Sequence, residues 1–278
     1  MKIAVSAEST IDLTKELLQK FEISTIPFTV IMGENEYLDG DVTSKDIFEF
    51  VAKKNVLPKT SAINEYTYGE YFENLLKNYD AVIHFALSSE ISSACKNAMS
   101  AADKLKNVYV VDSKSLSTGI ALLAIKAREM ATAGISPEEI AKNCTELTQK
   151  VQASFVLDKL NYLHKGGRCS TIALLGANLL KIKPQIVLDN GKMVVGKKYM
   201  GNIESCTKKY CADTIAMSGE LDLDHAFVTY TAASDNMVQT AEQALKDAGF
   251  KNIYKTFAGA TITSHCGPNT LGILFIKK

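Results

Sequence analysis

The sequence has no net charge, and it therefore lacks a feature that most nucleic-acid-binding proteins share. Its 31 lysine and arginine residues balance 31 aspartate and glutamate residues over 278 positions. Proteins that bind nucleic acid usually carry an excess of basic residues, because contacts to phosphates supply much of their affinity. We therefore expect no nucleic-acid partner.

Long apolar runs and metal-binding cysteine motifs are also missing. No stretch reaches the ~18 consecutive apolar residues of a membrane span, and the N-terminus MKIAVSAEST turns polar after a few apolar residues. We therefore expect a cytoplasmic protein without an integral membrane segment. The six cysteines include no C-x-x-C pair and no zinc-type spacing. They are predicted to be reduced and mostly buried, and no metal site is expected.

The best-known catalytic loops are absent as well. The sequence contains no G-x-S-x-G elbow, no G-x-x-x-x-G-K-[ST] loop, no G-x-G-x-x-G fingerprint and no H-E-x-x-H pair. These absences disfavour hydrolases, nucleotide kinases and dinucleotide enzymes, and no cofactor is expected. Cys266 directly follows His265, which usually points the two side chains apart, so a cysteine nucleophile is disfavoured.

Short apolar runs rich in valine and isoleucine alternate with helical periodicity in the first half of the chain. The runs cover residues 3–5, 23–31, 81–87 and 108–111. This alternation indicates βαβ units and hence a mainly parallel sheet covered by helices. Helix starts are predicted after Ser9 and Thr10, at Thr43 with Asp46 three residues on, and at Ser136 before Pro137.

The pattern changes after about residue 158. Asp189-Asn190-Gly191 separates two extended runs, which is typical of a β-hairpin. Helices near residues 204–217 and 235–248 then alternate with strands at 226–231, 253–257 and 271–276. We predict an α/β protein with a mainly parallel α/β/α domain (1–158) and an α+β domain with an antiparallel sheet (159–278). A ligand is expected between these domains, because ligand sites favour such interfaces.

Four polar clusters stand at the ends of predicted elements. They are Pro58–Ser61, Leu87–Ser93, Leu163–Arg168 and Thr263–Pro268. Serine hydroxyls and unpaired amides at a helix start can hold a carboxylate or phosphate without a metal. The guanidinium of Arg168 has the planar fork that pairs with a carboxylate.

Each cluster also has an ordinary structural interpretation. Pro58–Ser61 fits a loop with a hydroxyl cap, and a single serine of Leu87–Ser93 suffices to cap a helix. Gly166 fits the left-handed residue that follows a helix, and Arg168 fits a solvated surface side chain. His265, followed by Gly-Pro, fits a turn. The residues alone leave these alternatives open.

Taken in order, the clusters resemble the DegV family of bacterial fatty-acid-binding proteins, and the resemblance runs from Ile3 to Ile276. The segment Lys165–Pro184 is its most specific part. The other matching pieces are Glu8–Leu13, Tyr37–Gly40, Thr60-Ser61, Ser88–Ser93, Val111–Ser113 with Ser117 and Gly119, and His265–Pro268.

The resemblance implies a protein that binds one long-chain fatty acid between two domains. Some members of the family present its carboxylate to a separate fatty-acid kinase, which makes acyl phosphate for phospholipid synthesis. By the same resemblance, a cluster of hydroxyl, arginine and histidine side chains would hold the carboxylate: Thr60, Ser61, Ser92, Ser93, Arg168 and His265. Apolar residues from both domains would cover the tail, for which we take Phe28, Ile91, Leu116, Leu174 and Ile262.

The chain departs from the family pattern at four places. Glu8 replaces the usual aspartate, Ala62-Ile63-Asn64 replaces Gln-Pro-Ser, and Ser93-Ala94 replaces Gly-Thr after Ser92. The arginine-bearing stretch of the kinase-coupled relatives reads Lys197–Asn202 here. These departures could change the preferred length of the fatty acid, the contacts to its head group and the partnership with a kinase.

Two alternatives stand beside the carrier. One is an acyl- or phosphoryl-transfer enzyme with Ser92 or Ser61 as nucleophile and His265 as base. The other is a lipid sensor without a kinase partner. We favour a carrier, and not an enzyme, because burial of a long tail at ~0.8 kcal/mol per CH₂ supplies affinity without a metal or covalent nucleophile.

Overall fold

The computed structural model describes residues 1–171 and 182–278. Strands in this part of the chain form a four-stranded parallel sheet, a six-stranded mixed sheet and a three-stranded antiparallel sheet. Helices cover the sheets, so the predicted α/β class is confirmed.

The parallel sheet lies in the first half of the chain. Its strands are β1 (Ile3–Glu8), β2 (Ile23–Ile26), β6 (Ala81–Ala86) and β7 (Val108–Asp112), in the spatial order β2-β1-β6-β7. Every residue of β1 and β6 is buried, as is typical of strands covered by helices on both faces. The helices of this half are α1 (Lys15–Lys20), α2 (Ser44–Lys54), α3 (Glu65–Leu76), α4 (Ala94–Ala102), α5 (Thr118–Thr132) and α6 (Pro137–Leu147).

The three-stranded sheet corrects two predictions. It contains β3 (Thr29–Met32), β4 (Asn35–Leu38) and β5 (Lys59–Ser61), in the order β4-β3-β5. The run 23–31 is therefore not one strand, because Pro27, which has no N–H to donate, separates β2 from β3 in another sheet. Thr60 and Ser61, predicted in a loop, lie on β5 and pair with β3.

Five strands of the six-stranded sheet lie in the predicted second domain (159–278). Its remaining strand, β8 (Val151–Val156), comes before residue 158. The sheet contains β8, β9 (Ile182–Asp189), β10 (Lys192–Met200), β11 (Leu221–Thr231), β12 (Asn252–Phe257) and β13 (Thr270–Lys277), in the order β10-β9-β8-β13-β11-β12. Neighbours are antiparallel except β11 and β12, which are parallel. The predicted hairpin is confirmed, and both Asn190 and Gly191 at its turn have positive φ. The domain boundary after residue 158 stays a prediction, although β8, which precedes it, already pairs in this sheet.

Helix α5 packs between the parallel sheet and the six-stranded sheet. It contacts β1 and β6 on one side and β8, β11 and β13 on the other. Within residues 1–171 and 182–278, the other helices are α7 (Asn161–Gly166), α8 (Ile203–Met217), α9 (Asp235–Asp247) and α10 (Ala260–Cys266). The two halves therefore share a buried core around α5.

Two of the three predicted helix starts are confirmed. Thr43 and Asp46 form a reciprocal capping box at α2, and Ser136 caps α6 with Pro137 in its first turn. The third is wrong, because Ser9–Ile11 forms a single 3-10 turn and α1 starts at Lys15. Asp12 follows that turn with a φ of +55°.

Three further observations concern the cysteines, membrane spans and metal sites. All six cysteines are buried and free of disulfides. Over residues 1–171 and 182–278, no helix is both long and apolar enough to cross a bilayer. In the same residues, no group of three or more His, Cys, Asp or Glu side chains is arranged to hold a metal ion.

Candidate functional site

A cavity of about 390 Å³ lies between the two halves of the chain. Its size falls in the range of roughly 300 to 1,000 Å³ that is typical of small-molecule sites. Its wall includes all six residues predicted to hold a carboxylate: Thr60, Ser61, Ser92, Ser93, Arg168 and His265. Four of the five residues predicted to cover a tail also line it: Phe28, Ile91, Leu116 and Ile262. Leu174 lies outside the described residues, and the roles of all these residues toward a ligand stay predictions.

His265 is held against Thr60 by a hydrogen bond of 2.9 Å between Nε2 and Oγ1. The histidine lies in the last turn of α10 and not in a turn before β13 as predicted, because residues 260–266 form one continuous helix. Burial, followed by the positive charge of Arg168, lowers the pKa of His265 to about 4. The imidazole is therefore neutral at pH 7. Its Nδ1 atom has no hydrogen-bond partner in the described part of the chain.

Gly166 and Gly167 have different structural roles. Gly167, with a φ of +70°, is the left-handed residue that ends α7, so the assignment of that role to Gly166 is wrong. Gly166 is the last helical residue, and the ring of His265 packs directly against its Cα, where a larger residue would place its Cβ. The first glycine of the pair therefore makes room for the imidazole.

Arg168 forms the solvent side of this cluster. Its side chain is exposed, and Nη1 donates to the carbonyl oxygen of Gly166 over 2.6 Å. This bond holds the guanidinium beside the glycine turn that contacts His265. The remaining guanidinium N–H groups can donate to an anion in the cavity.

The serine turn between β6 and α4 (Leu87–Ser93) supplies further polar residues of the cavity wall. Ser92, which precedes the N-cap residue, accepts with its Oγ from the amide of Ala94, the first residue of α4, over 3.1 Å. Ser93 makes no capping bond with its side chain. Leu87, where the turn begins, donates its amide to the buried carboxylate of Glu8 over 2.7 Å. The glutamate that replaces the family's usual aspartate therefore fixes the start of this turn.

Seven residues of the cavity wall were not predicted as site residues, and three of them were not named at all in the sequence analysis: Asn97, Met193 and Thr261. Asn97 lies one helical turn after Ser93 on α4, and helical periodicity could have identified it. Met193 follows the hairpin turn, and its position beside the serine turn depends on long-range packing. Thr261 lies on α10 one turn before His265, and the prediction of a turn there concealed it.

A separate, small apolar pocket of about 30 Å³ lies next to the cavity. It shares Leu116, Ile262 and Cys266 with the main cavity, and strand residues such as Phe155 and Leu274 line its far part. The site therefore combines a polar cluster, apolar residues of the same cavity wall and a neighbouring apolar pocket.

Comparison with known proteins shows similarity over the whole chain. The sequence profile described as "Uncharacterised protein, DegV family" matches residues 2–278. The Protein DegV of Bacillus subtilis is 32% identical over 283 residues, which cover both chains completely.

Solved structures are similar over the whole length. The crystal structure of DegV from Bacillus subtilis, described as a fatty acid binding protein, has a TM-score of 0.86 at 32% identity and full coverage of both chains. A DegV family protein from Thermus thermophilus, described by its fatty acid binding, has a TM-score of 0.92 with the same coverage. At 23% identity, this second similarity supports the fold alone.

Proposed function

Because this chain belongs to the DegV family, we propose that it binds a long-chain fatty acid. The observation that carries the proposal is a connected polar cluster in the wall of a cavity that also has apolar lining residues. Thr60 bonds to His265, His265 packs on Gly166, and Gly166 accepts from Arg168. In the proposal, this cluster and the serines Ser61, Ser92 and Ser93 hold the carboxylate.

The tail supplies most of the affinity in this proposal. Burial of sixteen carbons at about 0.8 kcal/mol per CH₂ amounts to roughly 12 kcal/mol, before roughly 4 to 15 kcal/mol is lost in immobilising the ligand. Phe28, Ile91, Leu116 and Ile262 line the cavity, and Leu116 and Ile262 also line the small apolar pocket beside it. The tail therefore anchors the ligand, and the head group orients it.

The head group is recognised by donors of two kinds. Arg168 provides a charged fork, and each charge-assisted hydrogen bond contributes about 1.5 to 3 kcal/mol before desolvation. His265 is neutral at pH 7 and provides a single N–H without adding charge. A carboxylate satisfies these donors, whereas an ester lacks the negative charge that pairs with the arginine.

Binding is favoured over catalysis by the partners of His265. A serine nucleophile needs a base within hydrogen-bond reach, but Nε2 of His265 bonds to Thr60, and Ser92 Oγ accepts from a backbone amide. A histidine whose pKa lies near 4 is also a weak base at neutral pH. We therefore propose a carrier and not an acyl-transfer enzyme.

Presentation of the carboxylate to a fatty-acid kinase is the finer part of the proposal. The exposure of Arg168 supports it, because the head-group end of the cavity is the end that a partner enzyme could reach. The stretch Lys197–Asn202 lacks the arginine of kinase-coupled relatives, and Lys197 is engaged with Asp213 at 3.0 Å. This difference favours storage or sensing as the second candidate.

Native mass spectrometry of freshly purified protein tests the proposal. We expect a bound mass equal to a fatty acid that organic solvent removes, in the parent and in Leu38→Glu, which changes an exposed side chain. Ile262→Glu, which places a charge on the cavity wall, should lose it. Protein without bound lipid would contradict the carrier, and an acyl mass that survives denaturation would support the enzyme.

A further inference from the structure

We propose that Asp12 and Asp39 are positioning residues of this site. Together they fix the start of α10, so that His265 at the other end of the helix meets the ligand's carboxylate. The inference rests on the proposed function. It gives a role to two motifs, Glu8–Leu13 and Tyr37–Gly40, that contribute no residue to the cavity wall.

The two carboxylates bind consecutive backbone amides at the start of α10. Asp12 Oδ1 accepts from the amide of Gly259 over 2.8 Å, and Asp39 Oδ1 accepts from the amide of Ala260 over 2.9 Å. Amides at the start of a helix have no partner within the helix, so external acceptors can hold them. Asp12 follows the 3-10 turn, and Asp39 follows β4. Two separate segments of the first half therefore hold a helix of the second half.

Each carboxylate is itself held by a serine. Ser117 donates to Asp12 Oδ2 over 2.5 Å, and Ser9 donates to Asp39 Oδ2 over 2.9 Å. Ser117 has a φ of +53°, a conformation that is uncommon for residues with a side chain and that persists only where the surroundings enforce it. Both oxygens of each carboxylate are thus engaged, and neither group can turn away from the helix without breaking a second bond.

Gly259 allows both carboxylates to approach. A Cβ atom at this position would lie 3.1 Å from Oδ1 of Asp12 and 3.1 Å from Oδ1 of Asp39. Contacts of this length are tighter than side chains normally make, so a larger residue would push the start of α10 away from its two acceptors.

The short length of α10 makes this attachment important. The helix has seven residues, and isolated helices below roughly 12 residues are marginal in water. At 1.5 Å per residue, His265 lies roughly 8 Å along the axis from Ala260. A tilt at the start of so short a helix therefore moves the imidazole relative to Thr60 and the cavity.

Hydrogen bonds, and not ion pairs, make the attachment. Both aspartates are buried, and within residues 1–171 and 182–278 no cationic group lies within 4.0 Å of either carboxylate. Burial raises the pKa of Asp12 to about 8, and the negative charge of nearby Asp39 adds to the shift. An asparagine at position 12 would accept from Gly259 in the same way and is therefore a conservative replacement.

The test compares the affinities for hexadecanoate and for its methyl ester in delipidated protein. We expect Asp12→Ala and Asp39→Ala each to lower the preference for the acid by about ten-fold. Asp12→Asn should stay within about two-fold of the parent. Asn202→Ala, which removes the cap of α8, is the matched control and should also stay within about two-fold.

Histidine NMR gives a readout that stability alone would not change. In ¹⁵N-histidine-labelled protein, the imidazole signals of His265, identified by their loss in His265→Gln, should shift in Asp12→Ala and Asp39→Ala, while those of exposed His164 stay in place. If an alanine variant does not fold, Gly259→Ala is tested in the same two ways.

Three results are decisive. An unchanged acid preference in folded Asp12→Ala and Asp39→Ala overturns the positioning role. An equal loss of affinity for acid and ester, with His265 signals unmoved, overturns it as well, because that pattern means general destabilisation. A parent protein that binds neither compound overturns the proposed function itself, whereas the first two results leave fatty-acid binding intact.

Discussion

The hydroxyl of Ser88 donates a hydrogen bond of 2.9 Å to the carbonyl oxygen of Gly191 and so joins the serine turn to the tip of the β9–β10 hairpin. An exposed ion pair of 3.4 Å between Glu90 and Lys192 lies beside it. Because Met193 of the same hairpin lines the cavity, this junction holds part of the cavity wall.

Replacement of Gly191 by alanine should destabilise the protein by about 2 kcal/mol or more. Gly191 has a φ of +85°, and a Cβ atom there would lie 2.4 Å from Ser88 Oγ. Gly219→Ala is the matched control, since its φ is +69° and no atom lies within 4 Å of its Cβ position. Gly219→Ala should lower the free energy of unfolding only by the cost of placing alanine in the left-handed conformation, about 1 kcal/mol. Urea unfolding measures the stability of both variants. Equal losses of stability would contradict a close contact between Gly191 and Ser88.

Replacement of Gly166 by alanine should weaken the binding of fatty acid by about ten-fold or more. The Cβ atom would lie 2.6 Å from Nδ1 of His265, so the ring must leave its place beside Thr60. Gly69→Ala, in the middle of α3 with no atom within 4 Å of its Cβ position, serves as the control and should raise stability by roughly 0.5–1 kcal/mol. Fluorescent fatty-acid displacement measures the affinity, and parent-like binding by Gly166→Ala would exclude a close role for His265.

Arg168→Ala and Ser92→Ala should reduce the discrimination between a fatty acid and its methyl ester more than they reduce affinity for the acid. The reason is that the head group orients a ligand that the tail anchors. Ser89→Ala, in the same serine turn but not in the cavity wall, should behave like the parent. If both variants still reject the ester as strongly as the parent does, the carboxylate is held elsewhere.

The pH dependence of stability should report on His265. An unfolded histidine titrates near 6.5, whereas the pKa of folded His265 is about 4. Between these values the unfolded state binds more protons, so the stabilisation from the neutral ring is complete above about pH 6.5 and is lost as the pH falls toward 4. The loss is no more than about 3.4 kcal/mol.

The measurement compares the free energy of unfolding of the parent and His265→Gln from pH 7.5 to 4.5. The parent should lose more stability than the variant as the pH falls, since glutamine does not titrate. Parallel curves would mean that the folded histidine keeps its ordinary pKa. Asp12 and the other titrating groups are common to both proteins and cancel in the difference.

Local signals in the sequence predicted much of the fold. The hairpin at Asn190-Gly191 follows from two residues that accept positive φ, and the capping box of Thr43 and Asp46 follows from their spacing. The prediction of one strand over 23–31 was wrong, because a continuous apolar run does not show where the chain passes from one sheet to another. Pro27, which lies between β2 and β3, was the signal for that break. The parallel pairing of β11 with β12 depends on the position of the crossover helix α9, which periodicity does not reveal.

The sequence predicted which residues line the candidate site, but not which of them contact one another. The six polar residues were identified from clusters and from a resemblance, and all of them line the cavity. The bond between Thr60 and His265 joins residues 205 positions apart, and no local pattern encodes such a pair. The same holds for Asp12 and Gly259, which are separated by 247 positions. Both contacts depend on how the two halves pack.

The exposure of Arg168 gives a direction to a lipid whose carboxylate it would hold. Strand residues such as Phe155 and Leu274 line the small apolar pocket beside the cavity, while Arg168 faces solvent. Under the proposed function, the methyl end goes in first and the carboxylate comes out first. A partner enzyme that receives the fatty acid then reaches the carboxylate first and does not have to draw the hydrocarbon chain into water.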